Sequence, residues 1–197
     1  NIGDNYWGAA NGFIDEPKIY NYVRSASQIK SDFASKGSGS VKGTSVNLSL
    51  NSKNSDALSN GLVGYWKMDE SASPSVDASG NGNSGTWYGN VTNTSGKFGN
   101  GTIFDGTGDY IDSGNGTSLQ ITTDITVSAW VKDTRNDGSS NGIVEKMTTS
   151  PSYNGYGITK QDNYFKFWTA SGGSYTYTQS NITYTDTNWH HILGVRR

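Results

Sequence analysis

A chain of 197 residues with 26 glycines, 3 prolines and no cysteine has room for one sizeable β domain, or for one domain plus pieces of a neighbour. The missing cysteine excludes disulfides, thiolate metal sites and cysteine nucleophiles. A formal net charge of -2 without any Lys/Arg cluster argues against nucleic acid as a partner, because neutralising phosphates takes a concentrated basic face.

No apolar run approaches the roughly 20 residues of a membrane-spanning helix, so membrane insertion is not expected. The first residue is neither an initiator Met nor part of a leader pattern, and it is read as an internal or processed boundary.

In chain order, Gly12 to Tyr20 alternates apolar positions as a strand does. Ser25 followed by Gln28 fits a capping box, with Ile29 and Phe33 one turn apart and Gly37 placed as a terminator. One short helix over about 26–35 is expected, burying Ile29 and Phe33 against a sheet end.

Residues 37–60 hold no aromatic side chain and are dominated by Ser, Asn and Gly, the composition of a linker. Val46, Leu48 and Leu50 in period two leave an added edge strand as the alternative.

From residue 61 onward, strands are expected at 62–68, 86–88, 102–104, 110–112, 125–131, 142–146, 155–159, 164–169, 174–178 and 190–195. Turn signals at 106–109, 161–163 and 172–173 read as hairpins. The fold class is therefore all-β, an antiparallel two-sheet sandwich with one short helix near its start.

Period two places Phe165 and Phe167 on one face of their strand and Tyr164, Lys166 and Trp168 on the other. The next strand offers Tyr175 and Tyr177. If the register aligns them, Tyr164, Trp168, Tyr175 and Tyr177 form an aromatic stripe, which serves either as a platform for stacking sugar rings or as core.

His190 and His191 are adjacent on a strand and point to opposite faces, so they cannot share one metal ion; one packed and one exposed histidine are expected. No nucleophile elbow, phosphate loop or zinc spacing occurs. Six Asn-x-Ser/Thr sequons, at Asn47, Asn90, Asn93, Asn100, Asn115 and Asn181, are largely what chance gives in so Asn- and Ser-rich a chain.

An ordered set of motifs carries a resemblance. Gly64-Tyr65-Trp66-Lys67-Met68-Asp69-Glu70 comes first, then Asp77-Ala78-Ser79-Gly80-Asn81-Gly82-Asn83, Gly96-Lys97-Phe98-Gly99-Asn100 and Phe104-Asp105-Gly106. Ile125-Thr126-Val127-Ser128-Ala129-Trp130 and Trp189-His190-His191 continue the series. Together they resemble laminin-G-like domains of the concanavalin A-like lectin/glucanase superfamily over nearly all of 61–197. The segment Gly12-Phe13-Ile14-Asp15-Glu16-Pro17-Lys18-Ile19-Tyr20 looks like the last strand of such a domain.

The resemblance implies a jelly-roll sandwich, a secreted or cell-surface location, tandem repeats and an adhesive role. Its three parts are then 1–36, the closing strand and helix of one repeat, able to dock on the main domain; 37–60, the linker; and 61–197, a laminin-G-like domain lacking its last strands. A calcium ion is implied as well, and calcium wants six to eight oxygens at a tight turn. Asp77 and Asn81 in the Gly/Asn loop, with Asp15, Glu16 and Asp69, are the candidate ligands; the alternative is a turn without metal.

Sandwich glucanases of this superfamily use a Glu-x-Asp-x-Glu type run on one strand, and none occurs here, so an enzyme is not expected. The expected function is a non-catalytic, calcium-stabilised lectin-like module binding carbohydrate or a cell-surface glycan. The alternative is a structural repeat of an adhesin or filament, joined to neighbouring copies by strand sharing; a glycoside hydrolase ranks below both.

Overall fold

A strand from the first twenty residues forms the middle of the larger sheet. In the computed structural model, which describes residues 1–3, 8–34, 59–135, 137–148 and 152–197, β1 (Asn11–Tyr20) pairs along one edge with β7 (Ile125–Asp133). Its other edge is shared. The first half pairs with β5 (Asn100–Asp105), as in Ile14 opposite Thr102, and the second with β2 (Leu62–Tyr65), as in Lys18 opposite Tyr65.

The order across this six-stranded sheet is β12 (His190–Arg196), β7, β1, β5 and β4 (Thr92–Ser95), with β2 added on β1. The linker assigned to 37–60, and the edge strand weighed within it, lie outside the described residues except for positions 59 and 60.

The second layer runs β11 (Ser174–Gln179), β10 (Tyr164–Ser171), β9 (Asn154–Gln161) and β8 (Asn141–Thr148). A separate pair, β3 (Thr86–Tyr88) and β6 (Tyr110–Asp112), continues it, because Ile2 bridges both Ile111 and Val144. The Asn1 nitrogen donates to the Glu145 carbonyl at 2.6 Å beside that bridge. Residues before position 21 thus contribute pairing to both layers.

Between the layers lie Ile14, Ile19, Trp66, Phe104, Val127, Ile158 and Phe167 with other buried apolar side chains. The all-β sandwich expected from composition and turn spacing is the architecture found.

The details that differ have local causes. The first strand after position 61 ends at Tyr65 rather than Met68, since the Trp66 amide turns to the Pro17 carbonyl at 3.1 Å and Met68 takes φ 60°. β4 has the sequence Thr-Asn-Thr-Ser and offers no apolar alternation to read.

The 106–109 turn is no hairpin. It is a corner carrying the chain from β5 in one layer to β6 in the other, held by the buried Asp109 carboxylate, which accepts from the Asn90 and Asp105 amides at 2.8 and 3.0 Å. The 161–163 and 172–173 turns do close hairpins. Asp162 and Asn163 take φ 53° and 63° there, the left-handed pair a tight hairpin turn requires.

Helix α1 (Ala26–Ala34) has the expected capping box: the Ser25 amide donates to Gln28 Oε1 at 2.8 Å and the Gln28 amide to Ser25 Oγ at 3.3 Å. Its anchoring is partly the apolar one expected, since the Phe33 ring lies 5.1 Å from that of Trp130. Ile29 is half-buried and Phe33 is 56% exposed, whereas Asp32 is buried against Arg24 through two contacts of 2.7 and 2.9 Å.

Candidate functional site

The outer face of the six-stranded sheet collects ionisable groups because β1 carries a bulge. Between Asp15 and Lys18 its register against β7 slips, with Glu16 at φ 54°. The extra residue lets Ile14 and Ile19 both reach the core while Asp15 and Lys18 share the opposite face.

Asp15 is fully buried. Its Oδ2 accepts from the Phe98 amide at 2.9 Å, and its Oδ1 has no hydrogen-bond partner. Burial pushes its pKa up to about 7, against the pull of the Phe98 amide and with help from the charges of Glu16 and Asp69.

Glu16 Oε2 accepts from the Tyr65 hydroxyl at 2.5 Å and lies 3.4 Å from Lys18 Nζ. Burial nonetheless raises its pKa, outweighing both partners. Asp69 is exposed, and its Oδ1 accepts from the Asn100 amide at 2.8 Å. The loop 96–100 therefore offers one amide to Asp15 and another to Asp69. It comes so close that a Cβ on Gly96 would sit 2.8 Å from Asp15 Oδ2 and 2.3 Å from the Asn100 carbonyl oxygen.

The five candidate ligands thus fall into two groups. Asp77 Oδ1 accepts from the Tyr65 and Ser79 amides at 3.1 and 2.9 Å, and Oδ2 from the Asn83 amide at 2.9 Å. Asn81 is exposed and donates to the Leu62 carbonyl and to Ser79 Oγ. The carboxylates of β1 face Phe98 and Tyr65 instead of this loop.

Among the described residues, no three acidic or histidine side chains converge as a metal group. The donor chemistry still distinguishes the two places. A cation beside Asp77 would meet the N–H groups that already fill both its oxygens, whereas Asp15 presents a buried, unpartnered oxygen with the Asp69 carboxylate nearby. Asp15, with Asp69 beside it, keeps an oxygen open to an oxygen-seeking ion, whereas both Asp77 oxygens already accept from N–H donors.

The aromatic set behaves differently. Trp168 sits opposite Tyr177 in the hairpin register and opposite Gly157 on the other side. It is wholly buried rather than displayed, its ring lying where a Cβ on Gly157 would intrude at 2.8 Å. Tyr175 and Tyr177 are 46% and 57% exposed, with ring centres 6.0 Å apart, and Tyr175 stacks 5.7 Å from Trp168. Lys166 Nζ lies 5.3 Å over the Tyr177 ring. Tyr164, at the start of β10, is half-buried.

Neither adjacent histidine is freely exposed. His190 packs on Tyr184 and meets Asp186 at 2.8 Å, and His191 packs on Trp130 and Phe33. Burial lowers the His191 pKa to about 4.

Residues 105–197 match the laminin-G-like family model of the concanavalin A-like lectin/glucanases superfamily. This stretch is laminin-G-like. No curated protein and no solved structure matches the chain.

The matched stretch contains the whole tyrosine face and none of the five candidate ligands, which lie at 15, 16, 69, 77 and 81. Two contributors to the acidic group could not be read from sequence, because the Phe98 and Asn100 donors are backbone amides that leave no side-chain signal. Lys166 was legible, since period two already placed it beside Trp168. Among the described residues, no helix is long and apolar enough to cross a membrane.

Proposed function

We propose that the protein is a non-catalytic carbohydrate-binding module, secreted or on a cell surface, that takes sugar rings on the outer face of its four-stranded sheet. The observation that carries this reading is the pair of exposed rings, Tyr175 and Tyr177, flanked by Lys166 and backed by Trp168. Stacked rings supply apolar faces for sugar C–H groups, and the tyrosine hydroxyls and Lys166 ammonium bond hydroxyl groups.

Laminin-G-like domains are commonly binding modules for glycans, which agrees with this reading. A glycan array probed with the protein and with Tyr177→Ala tests it. The variant should lose about tenfold in affinity, the equivalent of one stacking contact; no binding by either protein rules the reading out.

In the same reading the module is stabilised by calcium held between Asp15 and Asp69, with oxygens of the 96–100 loop completing its shell. The ion would neutralise two carboxylates and tie β1 to that loop. Melting in excess calcium should exceed melting in chelator by several degrees. Equal midpoints remove the ion from the account.

A second reading, that of a structural repeat sharing strands with neighbouring copies, is favoured by β11. It is the last strand of its sheet, and every one of its residues is exposed. Light scattering at high concentration distinguishes the two, since strand sharing requires a mass that grows with concentration.

A further inference from the structure

Three polar side chains meet inside the sandwich, away from both faces described above. Asp133 ends β7, Asn141 opens β8, and Lys160 on β9 stands directly opposite Asn141. Their exposures are 7%, 3% and 2%. They border an apolar hollow lined by Ile14, Val131 and Ile143.

One carboxylate joins the other two groups: Asp133 Oδ2 is in contact with Lys160 Nζ, and Oδ1 accepts from Asn141 Nδ2 at 3.4 Å. Arg135 completes the arrangement. Its Nη2 donates to Asn141 Oδ1, and its backbone amide donates to Asp133 Oδ1 at 3.2 Å.

As a stability device this arrangement is poor, because desolvating an ion pair cancels most of its attraction. As chemistry it is complete. An amine nucleophile stands beside a carboxylate able to take its proton, and the amide opposite has its oxygen held by a guanidinium placed to stabilise negative charge. Directly opposed strand residues have Cβ atoms about 4.5–5.5 Å apart, within reach of a lysine stem, and fixed orientation removes most of the entropic part of such a barrier.

We propose that Lys160 and Asn141 condense into an amide cross-link. Asp133 accepts a proton from the Lys160 ammonium, and the freed Nζ lone pair attacks Cγ of Asn141. Arg135 holds the resulting oxyanion. Asp133 passes its proton to Nδ2 as the Cγ–Nδ2 bond breaks, and that nitrogen leaves as ammonium with the second Nζ proton. One C–N bond forms as another breaks, and nothing is oxidised or reduced.

The link staples β8 to β9 at the end remote from their turn, where Thr148 faces Asn154. It therefore closes the hairpin into a covalent ring, a device suited to a module under mechanical load.

The test is denaturation and tryptic digestion of the whole protein followed by mass spectrometry. Expected is a branched peptide joining the 136–146 and 147–166 stretches, lighter than its two arms by one ammonia and uncut after Lys160. Lys160→Arg and Asn141→Ala should each abolish it. Lys160→Arg keeps a cation beside Asp133, so its circular dichroism should remain that of the parent.

Separate, unbranched peptides from the folded parent protein overturn the proposal. So does ammonia loss confined to a linear peptide, which would mark a succinimide at Asn141-Gly142. A branch between Lys160 and Asp133 that has lost water overturns it as well.

Discussion

The two outer faces of this sandwich treat reactive side chains in opposite ways. On the six-stranded sheet, Asp15, Glu16, Lys18, Tyr65 and Trp130 are all buried. On the four-stranded sheet, the strand beyond Trp168 carries Tyr175 and Tyr177 into solvent. Charge is sequestered on one side and aromatic surface displayed on the other. Burial raises the pKa values of Asp15 and Glu16 and lowers that of His191, so the first face stores electrostatic cost. The second displays its tyrosines, although Glu145 lies buried in register with Gly157, Trp168 and Tyr177 beneath them.

The largest way to break this contrast is to uncover the polar face. Arg24 and Asp32 form a buried pair that seats α1 upon it, with the guanidinium 4.2 Å over the Tyr20 ring. Arg24→Ala leaves Asp32 buried without that cation and should cost about 3–5 kcal/mol in denaturant unfolding. A loss below ~1 kcal/mol would show that α1 is not part of the cooperative unit. The tyrosine face should keep its ligand affinity in this variant below its new unfolding midpoint.

Next in size are two opposing pH effects on the same face. Asp15, raised from 3.8 to about 7, holds a proton in the folded state that the unfolded chain releases, so its contribution is present below pH 3.8 and lost as pH rises toward 7. His191, lowered from 6.5 to about 4, contributes above pH 6.5 and loses that contribution as pH falls toward 4. They span about 4 and about 3 kcal/mol in full, so between pH 4 and 6.5 the two oppose each other, with Glu16, also raised by burial, acting on the Asp15 side.

In chelator, Asp15→Asn should unmask a stability that climbs with pH across that window, and His191→Phe one that declines. Two variants with the parent's profile would mean that neither group titrates as its burial requires.

The sheet scaffold was legible because alternation and turn chemistry are local. Ile125 to Val131, Tyr164 to Thr169 and the turn at Asp162-Asn163 announce themselves in sequence. What remained hidden depends on partners distant in the chain. Nothing near Asp15 indicates that the Phe98 amide will occupy one of its oxygens, 83 positions away. Nothing near Trp168 indicates that it will be covered, since period two fixes which face a ring takes but not what lies upon that face. The helix was placed by its capping box, yet the residue it buries is Asp32, with Phe33 laid half-exposed on Trp130, because amphipathic spacing does not register a buried ion pair. Asp133, Asn141 and Lys160 likewise look like ordinary polar strand residues until β7, β8 and β9 bring them together.

The smallest expected effect on stability is also the sharpest test of the display side. Tyr177 is more than half exposed, has its ring 6.0 Å from that of Tyr175 and carries Lys166 above it. Removing it should change unfolding by less than ~1 kcal/mol, as for an exposed edge-strand position. Affinity for a bound glycan should fall about tenfold in the same variant. If stability falls by ~2 kcal/mol while binding is untouched, Tyr177 is packing rather than platform, and the two faces differ in exposure without differing in role.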